Sequence, residues 1–330
     1  TVLQLFVLEH YLHGSPVVLH DLEAPLVEAS VGRILGVAGQ PVATVLDEPF
    51  ALRAAVNYFR KDDPDFHSTI CSLFSLSPKA SVLGSTWEMA VMPSLVHVFH
   101  NKVLSETSLV PLGAVRRDNG LLSSRATIVG LEEHMLGTDH RRMSLSEFLE
   151  AHVENNSRLR RDESQVPAFY HPAETPSGPD IVFVLHFNNY GFCPVFIHLK
   201  LRGSLKAKDI ISAFATVKAD AVQCHLGDRK LRTFCTGSPK WYLGVVIAYP
   251  TELPGVEGSF AEVRRSERIR GAQEEESPQC ISLKIDKNNI HDLFPEAHMK
   301  VLDCLKSVKR ELEQSGDDAT DEHTAKYPRV

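Results

Sequence analysis

Residues 179–202 read PDIVFVLHFNNYGFCPVFIHLKLR: two apolar runs on either side of an Asn-Asn-Tyr-Gly turn. That is the pattern of a β-hairpin with a tight connection. The second run alternates. Cys193, Val195, Ile197, Leu199 and Leu201 fall on one face, and His198, Lys200 and Arg202 on the other. Alternation of this kind is also what an ordinary half-exposed strand shows. A three-residue loop, Asn189-Tyr190-Gly191, pairs residue 188 with 192 and sets Asp180 opposite Lys200, on the face of His198. A four-residue loop shifts the pairing by one and sends Asp180 to the other face.

The rest of the chain supplies partners for such a hairpin. Its 330 residues are 43% hydrophobic, enough for a sizeable core and two domains. In the first part, PLVEASVGRIL, GVAGQP and VATVLDEP read as a hairpin, and PFALRAAVNYFRK reads as a helix. A hairpin beside helices is the layout of a small winged-helix-like α+β unit over residues 1–75. RKDDPDF and SLSPKASVLG hold the expected boundary.

A helix is predicted over 85–104, capped by Ser85 or Thr86, with Trp87, Val91, Leu95, Val98 and Phe99 as its apolar stripe. Pro93 predicts a kink or an early stop in it. Further on come a strand at ATIVG, a capped helix at SLSEFLEAHVEN and, after the hairpin, a helix over SLKAKDIISAFATVKADAVQCHL. Strands KWYLGVVIAYP and CISLKI follow, then a helix broken near Pro295 and a disordered tail over 314–330. This order predicts an α/β domain over 80–313 with a mixed central sheet flanked by helices.

Composition narrows the function classes. No run of 18 apolar residues exists, so no transmembrane helix is expected. The opening TVLQLFVLEHYL lacks the basic start and cleavage site of a signal peptide, and is read as part of a longer protein. Six scattered cysteines (71, 193, 224, 235, 280, 304) show no zinc spacing and suit reduced thiols in an intracellular protein. A net charge of −7 gives no overall field for a polyanion. Basic clusters at 116–117, 141–142, 158–161 and 264–270 remain as local patches.

A carboxylate at a strand end can hold Mg²⁺, and a lysine beside it can orient a metal-bound water or stabilise a developing charge. Asp180 and Lys200 are the candidates, with Glu88 on the helix 85–104 as a second acid. GSTWE on a helix, PD opening a strand and VFIHLKLR resemble the PD-(D/E)xK restriction-endonuclease-like fold. In that family a helical Glu, a strand Asp and a (D/E/Q)-x-K strand surround Mg²⁺. The resemblance implies Asp180 and Glu88 as metal ligands and Lys200 as a catalytic residue. His198 stands where the family has an acid or glutamine.

LVEASVGRIL…TVLDEPFALRAAVNYF, VLGSTWEMAVMPSL and KWYLGVVIAYP extend the resemblance to fungal Crinkler-type proteins. There a P-loop NTPase with a winged-helix tail precedes a nuclease-like domain. No GxxxxGK[ST] occurs in this chain, so the NTPase module is expected upstream of Thr1. Imidazole at 198 favours Mn²⁺ or another softer divalent metal over Mg²⁺. Otherwise an acid migrates in (Glu132, Glu133 or Glu174), or cutting has been lost. Two functions are therefore expected from different classes. One is a metal-dependent phosphodiesterase acting on DNA in the nucleus. The other is a catalytically degenerate nuclease-fold module that binds DNA or regulates the upstream NTPase. A purely structural hairpin in an interaction protein is the third.

Overall fold

The computed structural model describes residues 8, 10–12, 17–19, 33–37, 40–46, 64–76, 80–111, 120–131, 136–154, 166–172, 178–202, 204–218, 231, 233–235, 240–253, 278–294 and 296–315. Near its start, β1 (Val17–Leu19), β2 (Arg33–Val37) and β3 (Gln40–Leu46) form an antiparallel sheet in the order β1-β3-β2. The hairpin expected around GVAGQP is β2–β3. The helix expected at PFALRAAVNYFRK lies outside the described residues.

Two helices follow. α1 (Pro64–Leu76) opens on proline, whose missing N–H costs nothing in a first turn. α2 (Ala80–Phe99) begins earlier than expected, so Ser85 and Thr86 fall inside it rather than at its start. Pro93 does not stop it, and the helix runs on to Phe99. A proline inside a helix removes one backbone hydrogen bond, which a helix packed along its whole apolar stripe can tolerate. Trp87, Val91, Leu95, Val98 and Phe99 are all buried.

The main sheet is built on the hairpin of β9 (Ile181–Phe187) and β10 (Gly191–Leu201). β4 (Lys102–Val103) and β5 (Val110–Pro111) are short edges, and β6 (Arg125–Ile128) lies antiparallel to β9. β7 (Gly137–Asp139) runs parallel to β8 (Phe169–His171), which also pairs with β9. Between them lies α3 (Leu145–Glu154), whose Ser144 cap exchanges hydrogen bonds with Glu147 in a capping box. After α4 (Ala207–Thr216), β11 (Trp241–Tyr249) lies parallel to β10, and β12 (Gln279–Ile285) parallel to β11. α5 (Ile290–Leu293) and α6 (Met299–Ser315) close the described chain, two separate helices where one broken helix was expected. Nine described strands thus form one mixed α/β sheet.

Helices cover both faces. On one face, Ile181, Phe183, Leu185, Val195 and Ile197 share a core with the α2 stripe, and Trp87 stacks between Tyr249 and Phe294. Leu8, Leu12 and the α1 residues Phe66, Ile70 and Phe74 join the same core. On the other face, Val182, Val184 and Phe196 pack with Phe148 and Leu149 of α3 and Ile210 and Phe214 of α4. The hairpin is therefore enclosed, and the half-exposed strand that alternation allowed is not found. Among the described residues no helix is long and apolar enough to cross a membrane.

Buried polar groups are tied into the frame. Asp286 at the end of β12 accepts from the N–H groups of Leu253 and Asn288 and from the Lys284 ammonium. Burial pushes its carboxyl up, but these donors outweigh it and hold it below the ordinary range. His152 on α3 sits with Nδ1 2.9 Å from the Phe148 carbonyl. Burial pushes its pKa down to about 4.

That shift fixes a sign. The unfolded chain takes up the His152 proton near pH 6.5 and the folded chain only near 4, so the stabilising contribution is complete above 6.5 and is lost as pH falls toward 4. His152→Leu should flatten this part of the stability profile, by about 3 kcal/mol across the window. Denaturant unfolding at pH 7.5 and pH 4.5 measures it. Equal pH dependence in both proteins would contradict the assignment.

Candidate functional site

The turn sets the geometry. The Phe187 carbonyl accepts from Tyr190 N–H at 3.1 Å, and Gly191 takes a φ of 77°, the left-handed conformation that glycine adopts without strain. Gly191 pairs with Phe187, and the ladder runs to Ile197 opposite Ile181. The next pair in this register is Asp180 with His198. The expected pairing of Asp180 with Lys200 is thus displaced by two residues. A shift of two preserves the face, so Asp180, His198 and Lys200 still lie on one side of the hairpin.

Asp180 ends the ladder with both main chain and side chain. Its N–H donates to the Ile197 carbonyl at 2.8 Å. Its Oδ2 accepts from Leu199 N–H at 2.6 Å, where the β9 backbone gives way to Pro179. The same oxygen lies 2.8 Å from His198 Nδ1. That approach is close enough for a hydrogen bond but lacks its alignment, and Nε2 is buried without a partner among the described residues. His198 is 9% exposed. Lys200, one step further along β10, is half-buried opposite Ala248 of β11.

Glu88 is half-buried on α2, the helix that covers the Ile181–Ile197 face, whereas His198 and Lys200 belong to the face of α3 and α4. Among the described residues no group of three or more His, Cys, Asp or Glu side chains is placed to hold a metal ion. Glu88, Asp180 and His198 are therefore not such a set. A divalent metal would find one carboxylate with an oxygen already committed to a backbone N–H. The residues present do not fit an Mg²⁺ or Mn²⁺ centre. The migrating acids Glu132, Glu133 and Glu174 lie outside the described residues.

The basic clusters divide in the same way. Those at 116–117, 158–161 and 264–270 lie outside the described residues. In the 141–142 cluster, Arg141 is paired through Nε to the buried Asp139 at 2.8 Å. A fifth basic run escaped the sequence reading because it is spread across a strand end and a helix start. Lys200, Arg202, Lys206 and Lys208 follow one another from β10 into α4, with Lys206 and Lys208 exposed. Arg202 lies 4.0 Å from Asp209, which also accepts from the Lys206 backbone N–H at the helix start.

The arrangement makes Asp180 a structural acceptor. Asp180→Ala leaves the Leu199 N–H without its carboxylate and should lower stability by about 1–2 kcal/mol in denaturant unfolding. An unchanged midpoint would show that the carboxylate is not holding the strand end. Comparison of the chain with protein-family models, with curated proteins and with solved structures found no match.

Proposed function

We propose that residues 80–313 are a restriction-endonuclease-like domain that has lost its metal centre and works by binding the DNA backbone. We further propose that it serves an NTPase module of the Crinkler type, with residues 1–75 as the winged-helix tail of that module. The mixed sheet with Asp180 and Lys200 on its central hairpin supports the first part of this reading. One observation carries the loss of cutting: Asp180 Oδ2 is taken up by Leu199 N–H and lies against His198. Imidazole occupies the position where a hard oxygen ligand is expected.

Binding is assigned to the basic run Lys200, Arg202, Lys206 and Lys208. Phosphodiester backbones are held by such cations with release of counterions, so affinity falls steeply with salt. Asp209 neutralises part of Arg202, which leaves the exposed Lys206 and Lys208 as the freest contributors.

Fluorescence anisotropy of a labelled duplex across a salt series tests this. The expected result is sequence-tolerant binding whose log–log salt slope becomes shallower by about 2 in the Lys206→Glu, Lys208→Glu double variant. No binding, or binding that ignores both salt and the double variant, would refute it. The metal-dependent phosphodiesterase is the second reading. It is favoured by the partial exposure of Asp180, 26% of its side chain, beside Lys200 on the same face. Cleavage of DNA with Mg²⁺ or Mn²⁺ that Asp180→Asn abolishes would select it over the first.

A further inference from the structure

We propose that Cys71 and Cys304 are a disulfide-forming pair, a staple that oxidation closes between α1 and α6. The two helices meet along matching stripes. On α1 these are His67, Ile70, Cys71 and Phe74; on α6 they are Val301, Cys304, Leu305 and Val308. Each stripe follows the i, i+3, i+4, i+7 spacing of one helix face. Each cysteine sits in the middle of its stripe.

Two separate contacts fix the alignment. Cys71 and Cys304 both pack against the shared core between these two helices, and Cys304 is near enough to act electrostatically on the Cys71 thiol. One turn earlier on α1, the His67 ring stacks on His298, just ahead of α6, with centroids 3.6 Å apart and planes at 16°. The His67–His298 stack and the packing of the two stripes bring Cys71 and Cys304 to the same level of the helix pair. Both cysteines are only partly buried, so a small oxidant can reach them. Cys193 and Cys235, by contrast, are fully enclosed in the sheet core. Cys224 lies outside the described residues.

The chemistry needs a peroxide as oxidant. The Cys304 sulfur attacks hydrogen peroxide, the O–O bond breaks, and one water leaves as the sulfenic acid forms. The Cys71 sulfur then attacks that sulfenic sulfur. The S–S bond forms, and the hydroxyl leaves with the Cys71 proton as a second water. In sum, two thiols and one peroxide give one disulfide and two waters, with two electrons passing from sulfur to oxygen. Burial, reinforced by the neighbouring Cys304, pushes the Cys71 thiol up to about 12, which leaves it little thiolate and slows its step without preventing it. The closed link would fasten the last described helix, α6, to α1. Most of the chain would lie inside the loop so closed.

Peptide mapping of the whole chain tests this. The folded protein is treated with hydrogen peroxide, its remaining thiols are alkylated, and it is digested without reduction. The Cys71 peptide joined to the Cys304 peptide is the expected main disulfide. It should be reversed by dithiothreitol and absent from Cys304→Ser. The oxidised wild type should also unfold at a higher midpoint than the reduced protein. Alkylated Cys71 and Cys304 after oxidation, or Cys71 joined to a different cysteine, would overturn the proposal. So would a Cys71–Cys304 link that leaves the unfolding midpoint where it was.

Discussion

Both faces of β9, β10 and β11 must be covered at once, and the packing of the whole domain answers that demand. Their residues are apolar on each side, so neither side can face water without loss of roughly 25 cal/mol for every Å² of apolar area left exposed. α2 covers one side through Trp87, Val91 and Leu95, and α3 and α4 cover the other through Phe148, Ile210 and Phe214. Once the sheet is enclosed in this way, every polar group on it needs a partner close at hand. Asp180 and Asp286 meet that need at the two strand ends, each by accepting backbone N–H groups.

The candidate site follows from the same constraint. A carboxylate that must satisfy Leu199 N–H is not free to turn toward a metal. An imidazole enclosed against it cannot supply the oxygen that a hard cation prefers. The helix that carries Glu88 belongs to the opposite layer. Among the described residues no three such side chains are gathered to hold a metal ion. What remains accessible is charge at the end of β10, in Lys206 and Lys208.

Much of this was readable in the residues, and the misses have physical causes. The stripe Trp87–Phe99 fixed the face of α2 because a 3.6-residue period leaves little choice. The break near Pro295 and the capping box at Ser144 are local chemistry and came through intact. The start of α2 did not, since Ala80–Gly84 carries no stop signal and the helix simply extends back. At the hairpin, the face of Asp180 was right and its partner two residues off, because the three-residue turn sits one position earlier than expected, over 188–190, and the placement of a turn decides register. Enclosure of His198 depends on tertiary packing on that face of the sheet, so alternation within β10 had no means of showing it. Cys71 and Cys304 lie in separate helices and meet only through tertiary packing.

The account stands on Asp180 being committed to the strand end rather than to a metal. Titration of the folded chain with Mn²⁺, followed by calorimetry and by the electron paramagnetic resonance signal of the free ion, addresses that directly. The predicted result is no stoichiometric binding, and the same isotherm for the wild type and for Asp180→Asn. One tightly held Mn²⁺ per chain in the wild type, lost in Asp180→Asn, would contradict it.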